Sequence, residues 1–304
     1  MYSSIVSLST TLDNVCIDPE IIQSLKDIVS LPLLHPAIFK IGILARESIG
    51  GVLLYGPPGT GKTMVCRALA RECGARMLQV RPSDVMDEWL GNSEKLARNV
   101  FNLAHRLAPC VIFFDEIDSL FRSRTSGDSG HHTARNIAMD GLQSAQKNRD
   151  GGIVVVGATN RPFDLDEAVL RRLPARFQVK LPDEAGRKAI LQVHLEGEAF
   201  PEVQLDDLAR KTDGYSGSDL KNLCVCAATE AAKESVMNAT TDGTGRPELP
   251  TRVISPKHFE HALTQVSRST RPSPELDRWQ KSFSRRPSVE ENVHGSKKIK
   301  YTGM

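Results

Sequence analysis

The sequence predicts an α/β fold, a parallel sheet sandwiched by helices and followed by a small all-α lid domain. Three observations predict it. Short continuous apolar runs at residues 52–55 (VLLY), 110–114 (CVIFF) and 153–160 (IVVVGATN) each run into glycine or polar residues, as strands buried on both faces do. Stretches with apolar residues every three or four positions separate those runs, the signature of helices packed on a sheet. From Leu205 onward the pattern is helix and turn alone, which places a domain boundary near residues 196–202.

In chain order, residues 1–18 form a partly apolar lead-in, and residues 19–198 make the sheet domain. Residues 19–30 put Ile21, Ile22, Leu25 and Ile28 at helical spacing behind Pro19, and Pro32, Pro36 and Gly42 then break the chain until Val52. A helix is expected over 62–73, ended by Gly74, with RMLQV at 76–80 as the next strand. From Ser93, the spacing of Leu96, Val100, Leu103 and Leu107 gives a helix with one apolar face. Residues 164–177 (DLDEAVLRRLPARF) are a charge run carrying Arg171, Arg172 and Arg176. Asp183 and Glu184 occupy the first turn of a helix over 182–195, where carboxylates favour the positive end of the dipole. In the helical lid domain, residues 199–270, Ser216 or Ser218 caps a long helix. A glycine and proline loop at 240–251 and an amphipathic helix at 255–269 follow. Residues 271–304 hold a short helix around Leu276 to Phe283 and a basic polar tail with the composition of disorder.

The chemistry is concentrated in GPPGTGKT, Gly56 to Thr63, between the first apolar run and a helix. This spacing is that of the phosphate-binding loop, whose backbone N–H groups wrap phosphate oxygens at a helix N-terminus. Gly56, Gly59 and Gly61 let the backbone close on the phosphates, and Pro57 and Pro58 stiffen it. Lys62 would place its ammonium on the β and γ phosphates, and Thr63 would give a hydroxyl to Mg²⁺. Thr60 and Met64 complete the nucleotide-binding segment. Downstream, CVIFFDEID delivers carboxylates at the end of a buried strand, where sites in open α/β sheets lie. Asp115 is suited to hold Mg²⁺, directly or through water, and Glu116 to polarise an attacking water. Asn160, at the end of the third run, can donate a hydrogen bond to that water or to the γ-phosphate.

Composition bounds the alternatives. The chain has 304 residues, 40% hydrophobic and 25% charged, which suits one large domain and a smaller one. Lys and Arg (39) nearly balance Asp and Glu (37), so the total charge gives no reason to expect a nucleic-acid partner. No apolar run approaches a membrane span. The N-terminal MYSSIVSLSTTLDNV has the pattern of neither a signal nor a transit peptide. Of the six cysteines, most sit among apolar neighbours, and Cys224 and Cys226 on one helix point to different faces, so an intracellular, reducing compartment is expected.

With GPPGTGKT, FFDEID, GATNRP, LRRLPARF and GYSGSDL in this order, the chain resembles the AAA ATPases over roughly residues 11–270. LRRLPARF and GYSGSDLKNLC are most similar to the mitochondrial outer-membrane enzyme that extracts mislocalised tail-anchored proteins, in the branch that includes katanin, spastin and fidgetin. ELDRWQKSF looks like that branch's C-terminal helix. The resemblance implies an ATP-hydrolysing motor with Mg²⁺ as cofactor, a homo-hexameric ring with nucleotide at each subunit interface, and a polypeptide substrate drawn through the central pore. It implies that Asn160 senses the γ-phosphate and that Arg171 and Arg172 are arginine fingers. Asp13, Val15 and Cys16 on one side, and Gly217 and Ser218 on the other, would frame the adenine. Trp89 and Leu90 fall at the pore loop that grips substrate, and His131 and His132 near the second pore loop. Association with mitochondria comes from the resemblance alone, and a cytoplasmic protein is the default without it.

One stretch departs from the family. In HHTARNIAMDGL the helix is about six residues short, ~9 Å at ~1.5 Å per residue. Either that helix is rebuilt, or the fold is compromised there, or the sequence carries an exon-boundary error. A nucleotide-binding but catalytically impaired interaction protein is therefore the first rival to the motor. A microtubule-severing ATPase is the second and weaker one, since the basic linker usual before such a domain is missing.

Overall fold

The structure, a computed structural model, describes residues 17–44, 51–81, 92–121, 141, 152–237, 240–241, 247–248, 252–270 and 273–283. Asp13, Val15, Cys16, Trp89, Leu90, His131, His132 and the shortened stretch up to residue 140 lie outside them.

Five parallel strands form the central sheet: β1 (Val52–Tyr55), β2 (Arg76–Val80), β3 (Cys110–Phe114), β4 (Ile153–Thr159) and β5 (Ala175–Gln178), in the order β2-β3-β4-β1-β5. Val52 is in register with Val156 on one side and Ala175 on the other. The continuous apolar runs follow from the layers around the sheet. Leu53, Ile112, Phe114 and Val155 face a cluster built with Phe101 and Ala104 of α4 (Asn92–Leu107), Ile117 and Phe121 of α5 (Ile117–Phe121), and Val169 of α6 (Glu167–Arg172). Their sequence neighbours Val52, Leu54, Val111, Phe113 and Val156 face the opposite cluster. There they meet Leu25 of α1 (Pro19–Leu25), Leu33 of α2 (Leu31–Leu34), and Val65 and Leu69 of α3 (Lys62–Glu72). Side chains alternate between two covered faces, so neither set can be polar. Each fully buried side chain, Ile112 and Phe113 among them, stabilises the layer by about 1.5–3 kcal/mol.

A third cluster joins α7 (Glu184–His194), α8 (Leu205–Lys211), α9 (Gly217–Met237) and α10 (Pro256–Gln265) through Leu191, Leu208, Leu220, Leu223 and Phe259. The Asp183 carboxylate caps α7 by accepting the Gly186 N–H at 2.8 Å. The cap at the start of α9 belongs to Ser216, whose hydroxyl accepts the Asp219 N–H at 3.2 Å while the Asp219 carboxylate accepts the Ser216 N–H at 2.9 Å. Burial opposes ionisation of Asp219, but the hydrogen bonds from Ser216 and Ser269 outweigh it and leave its pKa lowered.

The last helix among the described residues, α11 (Pro274–Phe283), returns to the sheet. Trp279 meets the Tyr55 ring edge-on at 4.7 Å, and the Arg176 guanidinium lies 5.7 Å from the centre of the Trp279 ring.

Three elements differ from the sequence reading. The helix behind Pro19 runs on through a π-helical turn, Lys26–Ser30, into α2, which holds Pro32 in its first turn. The charge run after Leu165 contains both α6 and β5, and β5 pairs with β1 while its alternate residues Ala175 and Phe177 pack on the second cluster. Within the expected 240–251 loop, Thr240–Thr241 and Pro247–Glu248 pair antiparallel.

Candidate active site

The loop after β1 is shaped by what surrounds it. At Gly56, φ is 147° and an added Cβ would lie 2.1 Å from the Val179 carbonyl oxygen. At Gly59, φ is 73° and a Cβ would lie 2.6 Å from Ser216 Oγ and 3.1 Å from the Ser218 Cβ. Only glycine meets both the conformation and the space. Pro57 is buried and Pro58 exposed, and the Thr60 hydroxyl donates to the Pro57 carbonyl at 2.9 Å. Gly61, in the left-handed region, starts α3, whose first turn has no acidic residue and no side-chain cap. The helix therefore presents bare N–H groups and the positive end of its dipole. Met64, 41% exposed, sits in that first turn.

Lys62 is 8% exposed and donates to the Gly56 carbonyl at 3.0 Å and the Pro57 carbonyl at 2.7 Å. Burial lowers its pKa to about 8, against the opposing pull of Asp115 and Asp118. The unfolded chain holds this proton up to its usual value of 10.5. Between the two values the unfolded state binds more protons, so this group makes the nucleotide-free fold more stable as pH rises through that window. Phosphates would restore the proton. Nucleotide affinity is thus expected to be flat below about pH 8 and to fall up to ~tenfold per unit above it. Calorimetry in two buffers of different ionisation enthalpy should find proton uptake on binding at pH 8.5, and an affinity constant from pH 7 to 9.5 would contradict it.

At the carboxyl end of β3, Asp115 Oδ2 accepts from the Thr63 hydroxyl at 3.3 Å and from Gln79 Nε2 at 3.2 Å, while Arg67 holds Gln79 Oε1 at 3.1 Å. Thr63 and Asp115 offer two adjacent hard oxygen donors, a set that fits Mg²⁺, an ion that keeps most of its waters beside one or two protein ligands. Glu116 follows with φ 49°, a left-handed conformation that costs a non-glycine residue about 1–3 kcal/mol, and its N–H donates to Asp115 Oδ1 at 3.2 Å. The turn leaves Glu116 exposed beside Asp115. Asn160 directly follows the end of β4 at the same edge of the sheet, half-buried.

Gly217 and Ser218 reach the loop from the helical side. The Ser218 N–H donates to the Gly59 carbonyl at 3.2 Å, and a Cβ on Gly217 would lie 3.2 Å from that same oxygen. Arg171 and Arg172 end α6, with Arg171 79% exposed at the side chain and 3.4 Å from Glu167, and the Arg172 guanidinium donating to the Ala168 carbonyl at 3.0 Å. The structure thus gathers the loop, Thr63, Asp115, Glu116, Asn160, Gly217 and Ser218, and carries the two arginines on a separate helix.

Sequence reasoning missed Gln79, Arg67, Asp118 and Thr159. Gln79 stands between Leu78 and Val80 in RMLQV, and a polar group among apolar neighbours near the strand's end was the available signal.

Residues 52–181 match the family model for the ATPase family associated with various cellular activities (AAA), and residues 202–243 match the AAA+ lid domain. The outer mitochondrial transmembrane helix translocase of Xenopus tropicalis is 40% identical over 271 residues, 88% of this chain and 72% of that protein. Its counterpart in Danio rerio is 43% identical over 255 residues, 82% of this chain and 68% of that protein. The crystal structure of the FIGL-1 AAA domain is similar with a TM-score of 0.75 at 34% identity, covering 90% of both chains.

Proposed function

This chain belongs to the AAA ATPases and is an ATP hydrolase, and from that premise we propose that it is a motor that remodels, extracts or unfolds protein substrates as a homo-hexamer. The observation that carries the reading is the convergence of the phosphate loop, the Asp115–Glu116 turn and Asn160 on the carboxyl edge of β1, β3 and β4, with Ser218 bonded to the loop. The relatives named transmembrane helix translocases support membrane proteins at mitochondria as the substrates. Among the described residues no helix is long and apolar enough to cross a membrane.

In this mechanism Lys62 leaves the Gly56 and Pro57 carbonyls for the β and γ phosphates, which the N–H groups of the loop and of the start of α3 also bind. Thr63 and Asp115 would hold Mg²⁺, which when bound neutralises charge on the phosphate oxygens. Glu116 accepts a proton from a water whose oxygen attacks the γ-phosphorus in line. The bond to the β,γ-bridging oxygen breaks with its electron pair on ADP. Asn160 orients the water or the γ-phosphate, and Arg171 and Arg172 stabilise the transferring group in the neighbouring subunit's site. The Ser218–Gly59 bond joins the loop to the helical part, so nucleotide state is felt there. Trp89 and Leu90 would convert that motion into a pull on the substrate chain.

The test is release of a reporter with a single C-terminal membrane helix from vesicles to which the chain is tethered. ATP should drive release, and ADP should not. Full ATP turnover with no release, and no unfolding of a soluble reporter with a disordered tail, would overturn the motor reading.

A further inference from the structure

Asp118 and Thr159 belong to two different catalytic segments and are bonded to each other. Asp118, two positions after Glu116, lies in the first turn of α5 with 8% exposure, and its Oδ1 accepts from the Thr159 hydroxyl at 2.5 Å. Thr159, the residue before Asn160, is 1% exposed. The same hydroxyl accepts the Arg161 N–H at 2.9 Å, so it holds the turn from both sides of Asn160. The Thr159 carbonyl accepts the Gly56 N–H at 3.3 Å, which fastens the phosphate loop to the same residue. A threonine at this point is thus bonded to the loop, to the helix behind Glu116 and to the turn that presents Asn160. A buried carboxylate with a hydroxyl partner is a strong, short contact with no solvent to replace it.

We propose that Thr159 and Asp118 are a positioning pair that fixes Asn160 relative to Glu116, so that the γ-phosphate contact and the proton acceptor stay in one register. This rests on the hydrolytic roles given above to Glu116 and Asn160. Neither member of the pair touches the nucleotide in this scheme. Both act through their neighbours.

Thr159→Val removes the hydroxyl and keeps the shape. It is expected to lower kcat about 10–100-fold, the scale of a misplaced reacting group, while ATP affinity, read with a fluorescent analogue, stays within about threefold. Thr159→Ser restores the hydroxyl and should recover most of the rate, a recovery that a role in β-branched packing alone would not give. In an Asn160→Ala background, Thr159→Val should cost nothing further, because the group it positions is gone. If Thr159→Val does not fold, Asp118→Asn weakens the same bond and should show the same closed cycle. Wild-type kcat in Thr159→Val, or losses that multiply with Asn160→Ala, would overturn the pair. Asn160→Ala inactive beside a fully active Thr159→Val removes this inference alone, whereas normal turnover in Asn160→Ala removes the role of Asn160 and the pair together.

Discussion

Glu116→Gln is expected to keep ATP bound and to lower turnover about 10²–10⁴-fold, the range lost when a positioned proton acceptor is removed. The amide keeps the size of the side chain and cannot accept the proton of the attacking water. The strained backbone at this position is left as it was, because glutamine has the same Cβ and the φ of 49° is set by the turn after β3. The fold should therefore melt as the parent does. The nucleotide contacts proposed for Lys62, Thr63 and Asp115 are untouched, so a fluorescent ATP analogue should bind with nearly parental affinity and remain uncleaved, and ring-sized species should accumulate in ATP. Phosphate release at the parental rate would remove Glu116 from the reaction.

Arg171→Ala is expected to lower turnover about 10³-fold or more, the scale of an arginine finger. The exposure of the side chain makes this a sharp test. Arg171 is 79% exposed and its pair with Glu167 at 3.4 Å is one turn along the same helix, worth about 0.3–0.5 kcal/mol in water, so the fold loses little. On the proposed reading, what is lost is the charge offered to the adjoining subunit. Mixing supplies the proof. Arg171→Ala subunits retain Glu116, and Glu116→Gln subunits retain Arg171, so each preparation alone should be inactive and the mixture should recover activity at sites formed between the two kinds. A mixture as inactive as its parts would mean that Arg171 does not act across an interface. Arg172, whose guanidinium donates to the Ala168 carbonyl and whose side chain is less exposed, should show a larger effect on stability than Arg171 does.

The parts of the site that could be read in the sequence are those whose chemistry is local. A run of eight residues, Gly56 to Thr63, contains its own strand exit, glycine conformations and helix start, and the structure adds only the neighbours that make Gly56 and Gly59 obligatory. Asp115 and Glu116 were legible for the same reason, as the end of a run buried on both faces. Strand β5 was not. ARFQ does alternate apolar and polar residues, but over only four positions inside a charge run, and it becomes a strand because the edge of β1 offers backbone groups that must be satisfied.

Sequence alone determined that a triphosphate loop, a carboxylate strand end and a following polar strand end occur in the order an α/β sheet needs, because each is a contiguous pattern of backbone freedom and side-chain chemistry. The tertiary structure decided which of these touch. Thr159 against Asp118, Gln79 against Asp115, Ser218 against Gly59 and Trp279 against Tyr55 are pairs far apart in the chain. Their distances follow from strand order and from the packing of helices on both faces, and no local spacing encodes them.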